Sequence, residues 1–330
     1  MPFEMPTRTT VSEGRERRVG FELEYTGIDL EAAAAIITDL FGGRLVRESR
    51  FRFQIEDTRA GDFTVEVDTA LLKDKRYQEW LSKVGIDLTG TDLEEPVEKL
   101  LMKVASTVVP HEVVTPPLPL SELYRAEELK SALMEQKAKG TGGSVIYAFG
   151  LHFNPEAPDL EVETLLSFLQ SFMVMEPWIR KESGIDFSRR LTPFIDEYPP
   201  DYLEKVLDPG YRPDLDAFVG DYLECNPTRN RSLDLLPILA SVRPEMVRAA
   251  SKESHLIKPR PAFHYRLPNS LIDDPDWSLA KEWNRWVVVD DLACDPQKLR
   301  TLARDFLREH ALSRMGFVHR WAEKVRGWIG

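Results

Sequence analysis

Val19-Gly-Phe-Glu-Leu-Glu-Tyr25 alternates apolar and acidic side chains with a period of two, the pattern of a strand buried on one face only. Phe21, Leu23 and Tyr25 fall on one side, Glu22 and Glu24 on the other. Four segments repeat the alternation. Phe63 to Asp68 carries Glu66 and Asp68, and Pro110 to Thr115 carries Glu112. Val145 to Asn154 sets Tyr147, Phe149, Leu151 and Phe153 against Gly150, His152 and Asn154. Ala262 to Leu267 sets Phe263, Tyr265 and Leu267 against His264 and Arg266. Strands with one apolar and one polar face belong to a mostly antiparallel sheet with helices packed on its apolar side. The expected fold class is therefore α+β.

The intervening segments predict helices. Asp29 to Leu40 is apolar-rich, with Asp29 as N-cap and Gly42-Gly43 as stop. Glu94 to Thr107, Glu122 to Lys139, Glu161 to Glu182 and Asp214 to Cys225 follow, and the tail from Asp276 reads as two or three helices. The organisation expected is a frayed polar segment over 1–17, a core over 18–275 and a helical extension over 276–330 packed on that core. Five of the seven tryptophans lie in the last 54 residues, a spacing that suits helix packing better than a ligand box. Gly140-Thr-Gly-Gly143 lacks the lysine of a phosphate loop and reads as a turn or lid.

Bulk properties narrow the classes. A formal charge of −12 over 330 residues disfavours nucleic acid and anionic membrane surfaces as partners. Cys225 and Cys294 are far apart, without metal-ligand spacing, which fits a reducing compartment. No apolar run approaches the roughly 20 residues that span a bilayer. A soluble cytoplasmic protein is expected; its oligomeric state is left open.

The chemistry-bearing residues gather on the polar face. Any one Glu-x-Glu pair is unremarkable in so acidic a chain and is ordinarily a solvated strand face. The set is more telling, because acids are depleted in strands and like charges facing each other cost about 0.2–1 kcal/mol per pair. Glu22, Glu24, Glu66, Asp68 and Glu112 on one face need a cation, and Mg2+ accepts such hard oxygen ligands. His152, Asn154 and His264 are placed to complete the site. Arg229 and Arg231 in the loop Asn226 to Ser232, Arg260, and Arg266 on the last strand offer a cationic pole for phosphate or carboxylate. For Arg229 and Arg231, salt bridging at the surface is the plain alternative.

In order, Val19-Gly-Phe-Glu-Leu-Glu-Tyr25, Val65-Glu-Val-Asp68, Glu112-Val-Val-Thr-Pro-Pro-Leu118, Gly150-Leu-His-Phe-Asn154 and the arginine strand from Ala262 resemble the amidoligase family. That family belongs to the carboxylate–amine ligase superfamily of glutamine synthetase and glutamate–cysteine ligase. The resemblance implies a glutamine synthetase-like core, a curved sheet whose concave face binds Mg·ATP. It implies Glu22, Glu24, Glu66, Glu112 and His152 as metal ligands, Asn154 on nucleotide or metal, and Arg266 on phosphate. Asp68 and Arg260 join the nucleotide side, and Arg229 and Arg231 join Arg266 as catalytic candidates. These ligases usually read E-x-R in the late strand, whereas this chain reads His264-x-Arg266, which makes His264 the candidate ligand there. The implied reaction joins a carboxylate to an amine, small or peptide-borne, through an acyl phosphate made from ATP. A phosphotransferase on the same fold, a non-catalytic nucleotide- or metal-binding module and an ATP-independent metal hydrolase are the alternatives.

Overall fold

The computed structural model describes residues 1–67, 110–140, 149–185, 195–251, 254–312 and 316–329. Its centre is a nine-stranded sheet in which every ladder is antiparallel. The strands are β1 (Arg18–Tyr25), β2 (Arg44–Ser49), β3 (Arg52–Glu56), β4 (Phe63–Val67), β5 (His111–Val114), β6 (Leu118–Pro119), β7 (Leu151–Pro155), β8 (Leu233–Asp234) and β9 (His264–Tyr265). They run in the order β2-β3-β4-β5-β1-β7-β9-β8, with β6 paired to one end of β1. The architecture is a mixed α/β protein with a large open sheet. Among the described residues it carries ten α-helices.

The alternation works as the sequence requires. Phe21, Leu23, Tyr25, Phe53, Ile55, Phe63, Val65, Val113, Leu151, Phe153 and Tyr265 form one apolar face, all at most 2% exposed. Each large side chain withdrawn from water there contributes about 1.5–3 kcal/mol. Helix α1 (Leu30–Phe41) lays Leu30, Ala33, Ala34, Ile37 and Phe41 on this face beside β3 and β4. Asp29 caps it by accepting from the Ala32 N–H at 2.7 Å. Gly42 and Gly43, at φ +74° and +97°, then turn the chain into β2; a Cβ on Gly43 would stand 2.6 Å from the Glu56 carbonyl.

Helix α2 (Tyr124–Glu135) is shorter than the expected Glu122 to Lys139, with a single 3-10 turn before it. Helix α3 (Val162–Glu182) and α8 (Leu279–Ala293) cover the other half of the sheet. Phe168 stacks on Phe263 with centroids 4.8 Å apart, and Tyr265 lies 5.2 Å from Trp286. Between them run α4 (Pro200–Leu207), α5 (Leu215–Cys225), α6 (Leu236–Val242) and α7 (Pro244–Ala250). Helices α9 (Pro296–Leu312) and α10 (Phe317–Ile329) pack on α3, where the Trp321 indole donates to the Val174 carbonyl. Expected helix Glu94 to Thr107, Asp68, and residues 141–148 lie outside the described residues.

The first 17 residues, expected to fray, run along α8 instead. Trp283 Nε1 donates to the Glu4 carbonyl, and the Glu4 and Thr7 N–H groups donate to Asn284 and Asp291. Arg17 is buried and forms a two-point ion pair with Asp290, at 3.1 and 2.6 Å. Burial pushes the Asp290 carboxyl up, and Arg17 opposes that shift. Removing one partner of such a pair strands a charge in the interior. Arg17→Ala is therefore expected to lower stability by about 3–5 kcal/mol, while Arg17→Met with Asp290→Leu stays near wild type. Urea unfolding of the three proteins checks this; equal losses in the single and double variants would refute it.

Candidate functional site

Register, more than sequence proximity, builds the polar face. Glu24 on β1 lies opposite Glu112 on β5, Glu112 lies opposite Glu66 on β4, and Glu66 lies opposite Arg52 on β3. Three carboxylates thus form a row across three paired strands, with an arginine at its end. Arg52 ion-pairs with Glu66 and also with Glu48. Strand β3 was not legible as a strand, so this arginine was missed.

One residue pair along, Glu22 lies opposite His152 on β7. Its carboxylate accepts from His152 Nδ1 at 3.0 Å and from Asn154 Nδ2 at 2.8 Å, with Arg260 3.8 Å away. His152 Nε2 lies 3.8 Å from Glu24 Oε1. Ligand atoms of Glu24, Glu112 and His152 fall within 4.8 Å of one another, and so do those of Glu22, His152 and His264. Two potential metal-holding groups therefore share His152.

A carboxylate only accepts, so Asn154 must turn its amide nitrogen to Glu22 and its oxygen the other way. That oxygen accepts from Arg260 at 2.5 Å and from His264 Nδ1 at 2.9 Å. The same logic puts the His152 proton on Nδ1 and its lone pair on Nε2, whereas His264 Nδ1 stands between the Asn154 oxygen at 2.9 Å and the Arg260 guanidinium at 3.2 Å. Burial alone would raise the Glu22 carboxyl. It nevertheless sits well below the usual carboxylate range, through the opposing pull of His264, His152 and Arg260. Burial, the strongest influence on His264, holds that ring well below its ordinary value. His152, Arg260 and Arg266 push the same way, and only Glu22 opposes. Glu22 and His264 thus act on each other as a pair, and the hydrogen bonds from His152 and Asn154 hold the carboxylate in place.

The arginines divide. Arg260 joins the cluster directly and Arg266 lies within electrostatic reach of His264. Arg266 also donates to the Arg229 carbonyl, which ties the Asn226 to Ser232 loop to β9. Arg229 acts on Asp234 from a half-exposed position. Arg231 is turned elsewhere. Its buried guanidinium donates to the carbonyls of Glu197 and Cys225 and packs over the Tyr198 ring. That placement does not bring it to the carboxylates.

Two further residues shape the site. The Gly150 N–H donates to Glu24 Oε2 at 2.7 Å, and a Cβ there would stand 2.6 Å from His152 Nε2. Only glycine lets β7 begin so close to the ring. Asp234 on β8 lies opposite His264, so its side chain shares the polar face. Its Oδ1 accepts from the Leu236 N–H, while its buried Oδ2 has no hydrogen-bond partner among the described residues. Burial raises its carboxyl to about 6, against the Leu236 hydrogen bond and the charges of Arg266, Arg229 and Arg260. No sequence signal marked Asp234, because its strand is two residues long.

A mixed α/β protein with an open antiparallel sheet and a carboxylate–imidazole–arginine face is the class defined so far. A family model described as "Putative amidoligase enzyme" matches residues 15–288. The chain thus belongs to the amidoligase family, whose name denotes ligases that form amide bonds. Neither the curated proteins nor the solved structures gave a match. The matched span contains every site residue described above.

If the face holds a divalent metal, Gly150→Ala is expected to displace the His152 ring and weaken its binding by about 10–100-fold. Counting free Mn2+ by EPR checks this, and an undiminished affinity would take His152 out of the site. Asp234, raised in the fold above its ordinary 3.8, stabilises the fold fully below that value and loses the contribution as pH rises through about 6. Relative to Asp234→Asn, the wild type should lose about 2 kcal/mol between pH 4.5 and 7.5 in urea unfolding. Parallel pH profiles would contradict it.

Proposed function

We propose that the chain is an ATP-dependent carboxylate–amine ligase with a glutamine synthetase-like core, its nucleotide and divalent metal held on the polar sheet face. The observation that carries this reading is the pairing of two poles within one hydrogen-bonded network. The acidic pole is the row Glu24, Glu112 and Glu66 with Glu22 beside it. The cationic pole is Arg260, with Arg266 behind it, and Asn154 links the two by accepting from Arg260 and donating to Glu22.

Carboxylate oxygens of the row are the hard donors that Mg2+ accepts, so Glu24, Glu66 and Glu112 would hold it. When bound, the cation would screen the phosphate charge of ATP against the acidic row. A substrate carboxylate would then attack the γ-phosphorus, releasing ADP and forming an acyl phosphate. An amine would next attack the acyl carbon and expel phosphate, losing a proton as the amide forms. The protein's part is positioning and charge compensation. Arg260 and Arg266, half-exposed at the rim of the cluster, would meet the transferred phosphoryl oxygens. Asn154 would hold Arg260 in place. Acid and amine, small or peptide-borne, are the two remaining substrates. Arg229 is placed to steer anions toward the same rim.

The cell interior suits this reading, since ATP is supplied there and Cys225 and Cys294 are both free thiols. Among the described residues, no helix is long and apolar enough to cross a membrane.

A thermal-shift titration with Mg·ATP tests the proposal. At 100 times its dissociation constant the ligand should stabilise the wild type by about 2.7 kcal/mol and leave Glu24→Ala unshifted, with far-UV circular dichroism confirming that the variant is folded. No shift in the wild type would remove the foundation of the ligase reading.

A further inference from the structure

A groove of about 790 Å³ opens between α2 and the first residues of the chain. Helix α2 packs on α1 and α8, so the groove belongs to the helical side of the sheet, away from the polar face. Its volume is within the roughly 300–1,000 Å³ of sites that enclose a ligand. The floor is apolar: Leu120 and Leu123 are buried, and Leu40 of α1 is half-buried beside them. One wall is a single stripe of α2, with Tyr124, Glu128, Ser131, Ala132 and Glu135 at the three- and four-residue spacing of one helix face. Ser131 and Ala132 are small and leave the middle of that wall recessed. The other wall is Met1, Phe3 and Met5. Met1, Met5 and Tyr124 are large and apolar yet exposed, and methionines on an open groove adapt to varied apolar partners.

Two observations say what fits there. The charge around the groove has one sign, because three glutamates and no lysine or arginine line it. Glu127 is occupied, pairing with Lys130 at 3.2 Å and accepting from the Leu279 N–H at 2.8 Å. Glu128 and Glu135 are exposed and take part in no ion pair among the described residues. They stand seven residues apart on α2, about 10 Å along the helix axis. The second observation concerns the main chain of the opposite wall. Glu4 gives both its backbone groups to α8, its N–H donating to Asn284 and its carbonyl accepting from Trp283. Along an extended chain successive residues turn these groups to opposite sides. Phe3 and Met5 therefore direct theirs away from α8, and neither has a hydrogen-bond partner among the described residues. An apolar trough with an acidic side and an unpaired main-chain edge is a seat for a peptide.

We propose that the groove between α2 and the N-terminal residues docks an extended peptide segment of a partner protein, with bulky apolar side chains in the trough and flanking lysines or arginines on Glu128 and Glu135. Its main chain would pair with the free edge at Phe3 and Met5. Basic residues three positions apart on an extended peptide span about 10 Å, which matches the separation of the two glutamates. The inference does not rest on the ligase reading, since no residue of the polar face enters it.

The experiment selects phage-displayed heptapeptides against the full chain, then measures the enriched sequences as fluorescein-labelled peptides by fluorescence anisotropy. Enrichment should yield bulky apolar residues flanked by lysine or arginine. Reversing both charges, Glu128→Lys with Glu135→Lys, should weaken such a peptide by about tenfold or more. The same peptide with glutamate in place of its basic residues should bind the reversed protein better than the wild type. Ser131→Trp, which fills the recess, should abolish binding, with far-UV circular dichroism confirming that each variant is folded. No enrichment, enriched peptides without basic residues, or binding indifferent to the charge reversal would overturn the proposal. So would a dimer of the free chain in sedimentation that Ser131→Trp dissociates, because a second copy would then occupy the groove. None of these readings involves ATP, so the outcome is separable from that of the Mg·ATP titration.

Discussion

The repulsion among Glu24, Glu112 and Glu66, set face to face by antiparallel register, is the constraint around which the molecule is arranged. Two like-charge pairs at about 0.2–1 kcal/mol each would favour another alignment. A shift of β1 by one residue would relieve them, but it would also turn Phe21, Leu23 and Tyr25 to solvent. Those three side chains are fully buried, and each stabilises the fold by about 1.5–3 kcal/mol. Packing on one face therefore outweighs repulsion on the other. The acids are held together by a core they do not touch, and the local response is to gather donors: Arg52 at one end, the Gly150 N–H on Glu24, and His152 between Glu24 and Glu22.

Asn154 links the electrostatics at the other end. A neutral side chain there donates to the acidic pole and accepts from the cationic one, so Arg260 meets Glu22 in a long ion pair of 3.8 Å with no direct hydrogen bond. A direct Arg260–Glu22 bridge would neutralise the poles that give the face its binding capacity. The amide keeps them separate and rigid. It also holds the His264 ring through Nδ1, beside Arg260, so one residue reaches both poles and the ring between them.

Much of this was legible in the sequence where periodicity was long. The alternation around Glu22 and Glu24 located β1, and the Asp29 cap with Gly42-Gly43 bounded α1 to within a residue. Strand β2 was missed because its residues are mostly exposed on both faces of a charged sheet edge, which leaves no alternation to read. The alternation from Ala262 to Leu267 located β9, but β8 has two residues, too few for a period, so the pairing of Asp234 with His264 exists only in the fold. Arg231 looked like its neighbour Arg229 because a polar loop carries no sign of which guanidinium turns inward. The N-terminal 17 residues looked unanchored because their partners, Asn284, Asp291 and Asp290, are more than 270 positions away. The family match ends inside α8, so resemblance alone does not mark where the tail begins.

The tail tryptophans, which bind nothing in this reading, still decide where the site stands. Strand β9 has little ladder to hold it: one Cα pair with β7 and two with β8. Its position depends on aromatic packing beneath the sheet. Tyr265 is enclosed by Phe153 at 5.9 Å, Phe172 at 5.7 Å and Trp286 at 5.2 Å, and Phe263 by Phe168 and Trp286. Each such pair adds about 0.5–1.5 kcal/mol beyond the area it buries. Because side chains alternate along a strand, fixing Phe263 and Tyr265 below fixes His264 and Arg266 above. Helices α3 and α8 thus place the cationic side of the face as β1, β4 and β5 place the acidic side. The site exists only where the two halves of the core meet.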